Sequence, residues 1–134
     1  MNQEMCPVCD EGVLKLSTFS DTFNYKANSV LVENLECTEC DVCKSTPVLT
    51  QQILNNQLRI ADGKRKTCGL LTSTEIKAVR KMYNLTQKQA AEIFGGGANA
   101  FSKYERGDVI QSEPMDKLLR LVFSDEKIML KLTA

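Results

Sequence analysis

The chain has 134 residues, 43% of them hydrophobic and 25% charged, with a formal net charge of zero. That length allows one ordinary domain or two small ones, and the composition is globular rather than disordered. Histidine is absent, which excludes Ser-His-Asp and Cys-His catalysis and zinc proteases built on a His pair, so any metal must be held by Cys, Asp or Glu. Apolar runs are too short for a bilayer-spanning helix, and MNQEMCPVCDEG does not read as a secretory signal. A cytoplasmic protein with no membrane partner is therefore expected.

The neutral total hides a split. Residues 1–68 carry a net charge of −2 and residues 69–134 a net of +2. Over the first fifty residues Lys15, Lys26 and Lys44 face eight acids: Glu4, Asp10, Glu11, Asp21, Glu33, Glu36, Glu39 and Asp41. All six cysteines lie at or before Cys68. An acidic, Cys-rich module followed by a mildly basic, Cys-free one is the expected organisation, with domains over 1–62 and 71–134. Ala61–Gly69, with two glycines and the basic triplet Lys64-Arg65-Lys66, has the composition of a linker, set at 63–70.

The first module opens on Cys6-Pro-Val-Cys9, and Cys37-Thr-Glu-Cys40 follows after 27 residues. A C-x-x-C turn can aim two sulfurs at one ion, and two such turns complete a tetrahedral zinc site. Asp10-Glu-Gly12 supplies the tight turn of a zinc knuckle. Between the pairs, 13–19, 22–26 and 30–36 are β-prone, with Asn28-Ser29 able to turn the chain. The result is a zinc ribbon-like β module with one structural Zn²⁺ per chain that supplies much of its folding free energy. Two disulfides are the competing reading, disfavoured by a reducing compartment and by the paired spacing. A thioredoxin-like role lacks the βαβ pattern. Cys40-Asp-Val-Cys43 is a third C-x-x-C, so Cys40/Cys43 can replace Cys37/Cys40; Cys37 is favoured because it ends a strand-like run. Cys43 and Cys68 are then free thiols. Leu49, Ile53, Leu54 and Leu58 form one stripe of a helix over 47–60 that packs on the ribbon and ends at Asp62-Gly63.

The second module reads as five helices. Thr72-Ser-Thr-Glu75 and Thr86-Gln-Lys-Gln89 are capping boxes. The first helix carries Ile76, Val79, Met82 and Tyr83 on one face, and the second, 87–94, carries Ala90, Ala91, Ile93 and Phe94. Gly95-Gly-Gly97 breaks the chain, and a third helix over 98–106 ends at Gly107. Phe101 and Tyr104 point inward, while Asn99, Ser102, Lys103 and Arg106 face away. This is the helix-turn-helix pattern, in which Asn99 can pair with adenine and Lys103 can reach guanine. Thr86 and Lys88, at the start of the preceding helix, are candidates for phosphate contacts, and Gln87, Ser102 and Arg106 complete the expected DNA-binding set. A generic bundle with a solvated polar face is the bland alternative. Two more helices follow, with Met115, Leu118, Leu119 and Val122 on one and Ile128, Met129, Leu130 and Leu132 on the other. The last is apolar nearly all round, which points to a homodimer interface.

The run LTQKQAAEIFGGGANAFSKYERG (85–107) resembles the helix-turn-helix of the MqsA-type antitoxins, and the order of CPxC, second C-x-x-C, linker and helix-turn-helix is similar too. The resemblance implies a non-enzymatic protein with two functions. It would bind a cognate ribonuclease toxin through the zinc domain and repress its own operon as a dimer on palindromic double-stranded operator DNA. It also implies Asn99 as a base-reading residue, Lys103 where the family shows Arg, and Cys6, Cys9, Cys37 and Cys40 as ligands, with Cys43 an addition. An acidic surface independently suits a basic, RNA-cleaving partner. The alternative function is a stand-alone helix-turn-helix transcription factor with a zinc- or thiol-sensing module. A thiol enzyme has no visible base or substrate pocket.

Overall fold

The computed structural model describes residues 4–134, which divide into two units, one up to Arg59 and one from Ile60 onward. The fold is α+β, with a β module first and helices after it.

The first unit is built on one long antiparallel hairpin, β1 (Leu14–Tyr25) and β2 (Asn28–Cys40). The three β-prone stretches of the sequence are therefore two strands. The reversal falls at Lys26-Ala27, not at Asn28-Ser29, which pair with Tyr25 and Asn24. Lys26 takes the left-handed conformation there, with φ 54°. The register slips between Phe19 and Asp21, opposite Glu33 and Asn34, and Asn34 takes φ 61°. Such a bulge bends the ribbon and increases its twist.

Helix α1 (Thr50–Thr67) corrects two expectations. The face it lays on β2 is polar: Gln52 and Asn56 are buried, while Ile53 and Leu54 of the expected apolar stripe are about half exposed. The Asn56 amide accepts from the Glu36 N–H at 2.6 Å and donates to the Glu36 carbonyl at 2.8 Å. Gln52 donates to the Cys37 carbonyl at 3.1 Å. Two side-chain amides thus do for the open edge of β2 what a third strand would do. The helix also runs through Asp62-Gly63 and the basic triplet, so 63–67 are helical rather than linker. Composition misled because Arg65 is not solvated. It is fully buried, ion-paired to Asp62 at 2.9 Å, and donates to Gln111 and to the Tyr104 and Val109 carbonyls.

The rest of the second unit is α2 (Ser73–Met82), α3 (Gln87–Phe94), α4 (Ala100–Arg106), α5 (Glu113–Ser124) and α6 (Glu126–Thr133). Both capping boxes form, Thr72 with Glu75 and Thr86 with Gln89. Ile76, Val79, Ala90, Ala91, Phe94, Phe101, Tyr104, Leu119 and Val122 make one core, with Phe101 edge-on to Tyr104. Met82 is half exposed rather than in that core. A second network is polar. Asp116 accepts from the Leu71 N–H, Gln111 and Arg120. Burial opposes its negative charge, but these hydrogen bonds and the Arg120 guanidinium win and hold its carboxyl below the usual range. Asp62 bonds both the N–H and the hydroxyl of Ser73.

Candidate metal centre and helix-turn-helix face

Four sulfurs converge at one end of the hairpin, and they belong to Cys6, Cys9, Cys40 and Cys43. All four Sγ atoms lie within 4.8 Å of one another, with Cys6–Cys43 and Cys9–Cys40 both at 3.7 Å. A disulfide needs about 2 Å, and all six cysteines are free. Thiolates placed tetrahedrally at about 2.3 Å from a Zn²⁺ stand about 3.8 Å apart, so the arrangement fits a four-thiolate metal.

Cys37 is not among them, which corrects the expected ligand set. Cys37 and Cys40 both lie on β2. Positions three apart on a strand point to opposite faces and stand about 10 Å apart along it. They cannot close on one ion. Cys37 is instead buried opposite Ser17, its carbonyl bonded by Gln52. Cys40-Asp-Val-Cys43 leaves the strand, and the chain curls there.

The two true C-x-x-C turns are built alike. Asp10 N–H bonds the Cys6 carbonyl at 3.0 Å, and Lys44 N–H bonds the Cys40 carbonyl at 3.2 Å. Asp10 and Lys44, each next after a second cysteine, take φ 57° and 62°. Val8 and Val42 each donate their N–H to the sulfur two residues back at 3.4 Å. A sequence signal for this pairing exists: Cys6-Pro-Val-Cys9 and Cys40-Asp-Val-Cys43 share a valine before the second cysteine, and Cys37-Thr-Glu-Cys40 does not. Gly12 is required for another reason: a Cβ there would stand 2.1 Å from the Cys40 sulfur. Asp41 ties the two turns together, its carboxylate accepting from the Val13 N–H at 2.9 Å.

The sulfurs are electrostatically unequal. The Ser45 hydroxyl beside Cys6 and the N–H groups of Cys9 and Val8 stabilise its thiolate against burial, lowering its pKa to about 6. Cys43 is lowered as well, chiefly by the same hydroxyl. Burial pushes Cys40 up to about 11. A bound cation would favour the charged form of every thiol.

In the second unit, α3 and α4 are joined by Gly95-Gly96-Gly97, all three at positive φ of 91°, 94° and 99°. At Gly96 a Cβ would also come within 3.0 Å of the Ala100 side chain. These residues let two short helices meet in helix-turn-helix order. Arg80 of α2 braces the pair, forking onto Glu105 of α4 at 2.8 and 2.9 Å and donating to the Leu85 carbonyl. No local sequence signal marks this brace, because Glu105 lies 25 residues further along the chain.

The expected DNA-reading residues fall into two groups. Asn99 and Lys103 are exposed, and Asn99 stands at the α4 N-cap without a side-chain capping bond. Lys88 is exposed at the start of α3. The others are more committed. Ser102 donates its hydroxyl to the Asn99 carbonyl, Arg106 pairs with Asp108 at 2.7 Å, and Thr86 caps α3 through the Gln89 N–H. Gln87 is half-buried.

A hairpin with four clustered cysteines and a separate helical unit in helix-turn-helix order define a two-part protein. The chain belongs to the family described as the antitoxin component of a bacterial toxin-antitoxin system, MqsA, which it matches over residues 4–130. Among curated proteins it is similar to "Antitoxin MqsA" of Escherichia coli (strain K12), with 29% identity over 118 residues, 87% of this chain and 90% of that protein. Among the described residues no helix is long and apolar enough to cross a membrane.

Proposed function

We propose that this antitoxin neutralises a cognate ribonuclease toxin through its first unit and represses its own operon through its second. What carries the reading is family membership across nearly the whole chain. The four thiolates hold one structural Zn²⁺, since an all-sulfur tetrahedral set suits a soft or borderline ion rather than Mg²⁺ or Ca²⁺. Four thiolates around one Zn²⁺ leave a formal −2, which adds to the exposed acids Asp10, Glu11, Asp21, Glu33, Glu39 and Asp41. A ribonuclease that binds phosphates presents the complementary charge. Exposed Leu16 and Leu31 on the hairpin offer apolar anchors beside it.

The second unit docks as a homodimer on palindromic double-stranded DNA. Leu121, Phe123, Leu130 and Leu132 of α5 and α6 are exposed and supply the dimer face. Half-site centres one helical turn, about 34 Å, apart follow from that symmetry. Asn99 at the N-cap of α4 reads adenine and Lys103, one turn further on, reads guanine, with Lys88 and the first N–H groups of α3 on phosphate. Asn99→Ala should cost about 1–3 kcal/mol on the operator and little on a scrambled duplex. Both duplexes are measured at one fixed salt, since phosphate contacts make affinity salt-dependent. Equal losses on the two would remove the base-reading role. Lys103→Arg should tighten operator binding, because a planar fork can bond guanine at two points.

A further inference from the structure

The backbone turns around the four sulfurs account for most of the donors that reach them. Gly12 N–H bonds Cys9, and the N–H groups of Val42 and Cys43 bond Cys40, each at 3.4 Å. One side-chain hydroxyl joins them. The Oγ of Ser45 lies 3.0 Å from the Cys43 sulfur and 3.5 Å from the Cys6 sulfur, so it faces one thiolate from each turn. Its position is fixed by the fold, because the Ser45 carbonyl accepts the Cys40 N–H at 2.9 Å. Ser45 is half-buried, whereas Cys43 is exposed. The most exposed of the four cysteines is thus the one whose sulfur the hydroxyl approaches most closely.

We propose that Ser45 is the outer-shell donor of this metal centre, its hydroxyl hydrogen-bonding the Cys43 thiolate, with Cys6 in reach, to set how tightly the metal is held. The inference rests on reading the four cysteines as a metal site. Four thiolates on one divalent ion carry two excess negative charges, and a hydroxyl donor beside them disperses that charge without displacing a ligand. It also restrains Cys43, the ligand with the easiest escape to water. Residues that bond metal ligands from outside typically contribute about 10–100-fold in affinity. Ser45 is a positioning and charge-stabilising residue; it does not touch the ion.

The test uses the full chain loaded with Co²⁺ or Zn²⁺ and a competing chelator at fixed pH. Ser45→Ala should weaken binding of both ions about tenfold and move the cobalt–thiolate charge-transfer band to lower energy, because a sulfur lone pair that loses a hydrogen bond rises in energy. Ser45→Thr keeps the hydroxyl and should restore both affinity and band position. A purely structural effect would not shift the band, and Thr would not restore it. Unchanged affinity and spectrum in Ser45→Ala overturn the proposal. So does a Ser45→Thr chain that behaves like Ser45→Ala, even if the alanine chain folds poorly. If the unaltered chain takes up no Co²⁺ or Zn²⁺, the metal reading itself fails, and that outcome is distinct from a loaded chain indifferent to Ser45.

Discussion

Replacing Cys43 by serine should strip the chain of its metal, while replacing Cys37 by serine should leave the metal in place. The contrast follows from position alone. Cys43 lies in the cluster with Cys6, Cys9 and Cys40, whereas Cys37 sits within β2. Losing a direct ligand should exceed the roughly 10–100-fold cost of an outer-shell change. Metal binding in small cysteine-nucleated modules is itself folding free energy, on the order of 10–16 kcal/mol for structural zinc, so Cys43→Ser should also loosen the hairpin. Cys37→Ser buries a hydroxyl and should cost about 1–3 kcal/mol if that group is unpaired, with full metal content. Elemental analysis of the two purified variants decides it, and the reverse pattern would restore Cys37 as a ligand.

Arg65→Ala should destabilise the helical unit by about 3–5 kcal/mol, the usual cost of removing one partner of a buried ion pair. Arg65 is fully buried, and its loss would orphan Gln111 Oε1 and weaken the support of the Tyr104 and Val109 carbonyls. Tyr104 belongs to the last turn of α4, so the damage reaches the helix proposed to read DNA. A C-terminal piece beginning at Gly69 lacks both Arg65 and Asp62 and should be correspondingly less stable than one beginning at Ile60. Denaturant unfolding of the two pieces and of Arg65→Ala measures this. Equal midpoints for all would show that the end of α1 is dispensable to the helical unit.

The helical half was legible in the sequence because its signals are local. Capping boxes at Thr72 and Thr86, three glycines in a row and a Gly107 stop are read within a few residues of themselves, and each is where the fold uses it. The β module was legible only in outline. Which of three C-x-x-C pairs closes the metal site depends on where β2 ends, and strand ends are set by pairing with a distant segment. Cys37 is favoured on sequence because it ends a strand-like run, yet Leu14 pairs with Cys40, which carries the strand past Cys37. Composition failed at Arg65 for a related reason. A basic triplet is ordinarily solvated, and only Asp62, Gln111 and two carbonyls from α4 and the segment after it make its burial tolerable. Likewise, the expected stripe of α1 leaves out Gln52 and Asn56, whose burial is set by the backbone groups of β2 that they bond.

The proposed neutralisation of a ribonuclease by the first unit makes RNA cleavage the quantity to follow. The direct measurement is RNA cleavage by the cognate toxin, titrated with the metal-loaded full chain and, in parallel, with the metal-free Cys43→Ser chain. Cleavage should fall to background at stoichiometric addition of the loaded chain and persist with the variant. Undiminished cleavage in an excess of the metal-loaded chain would contradict the account.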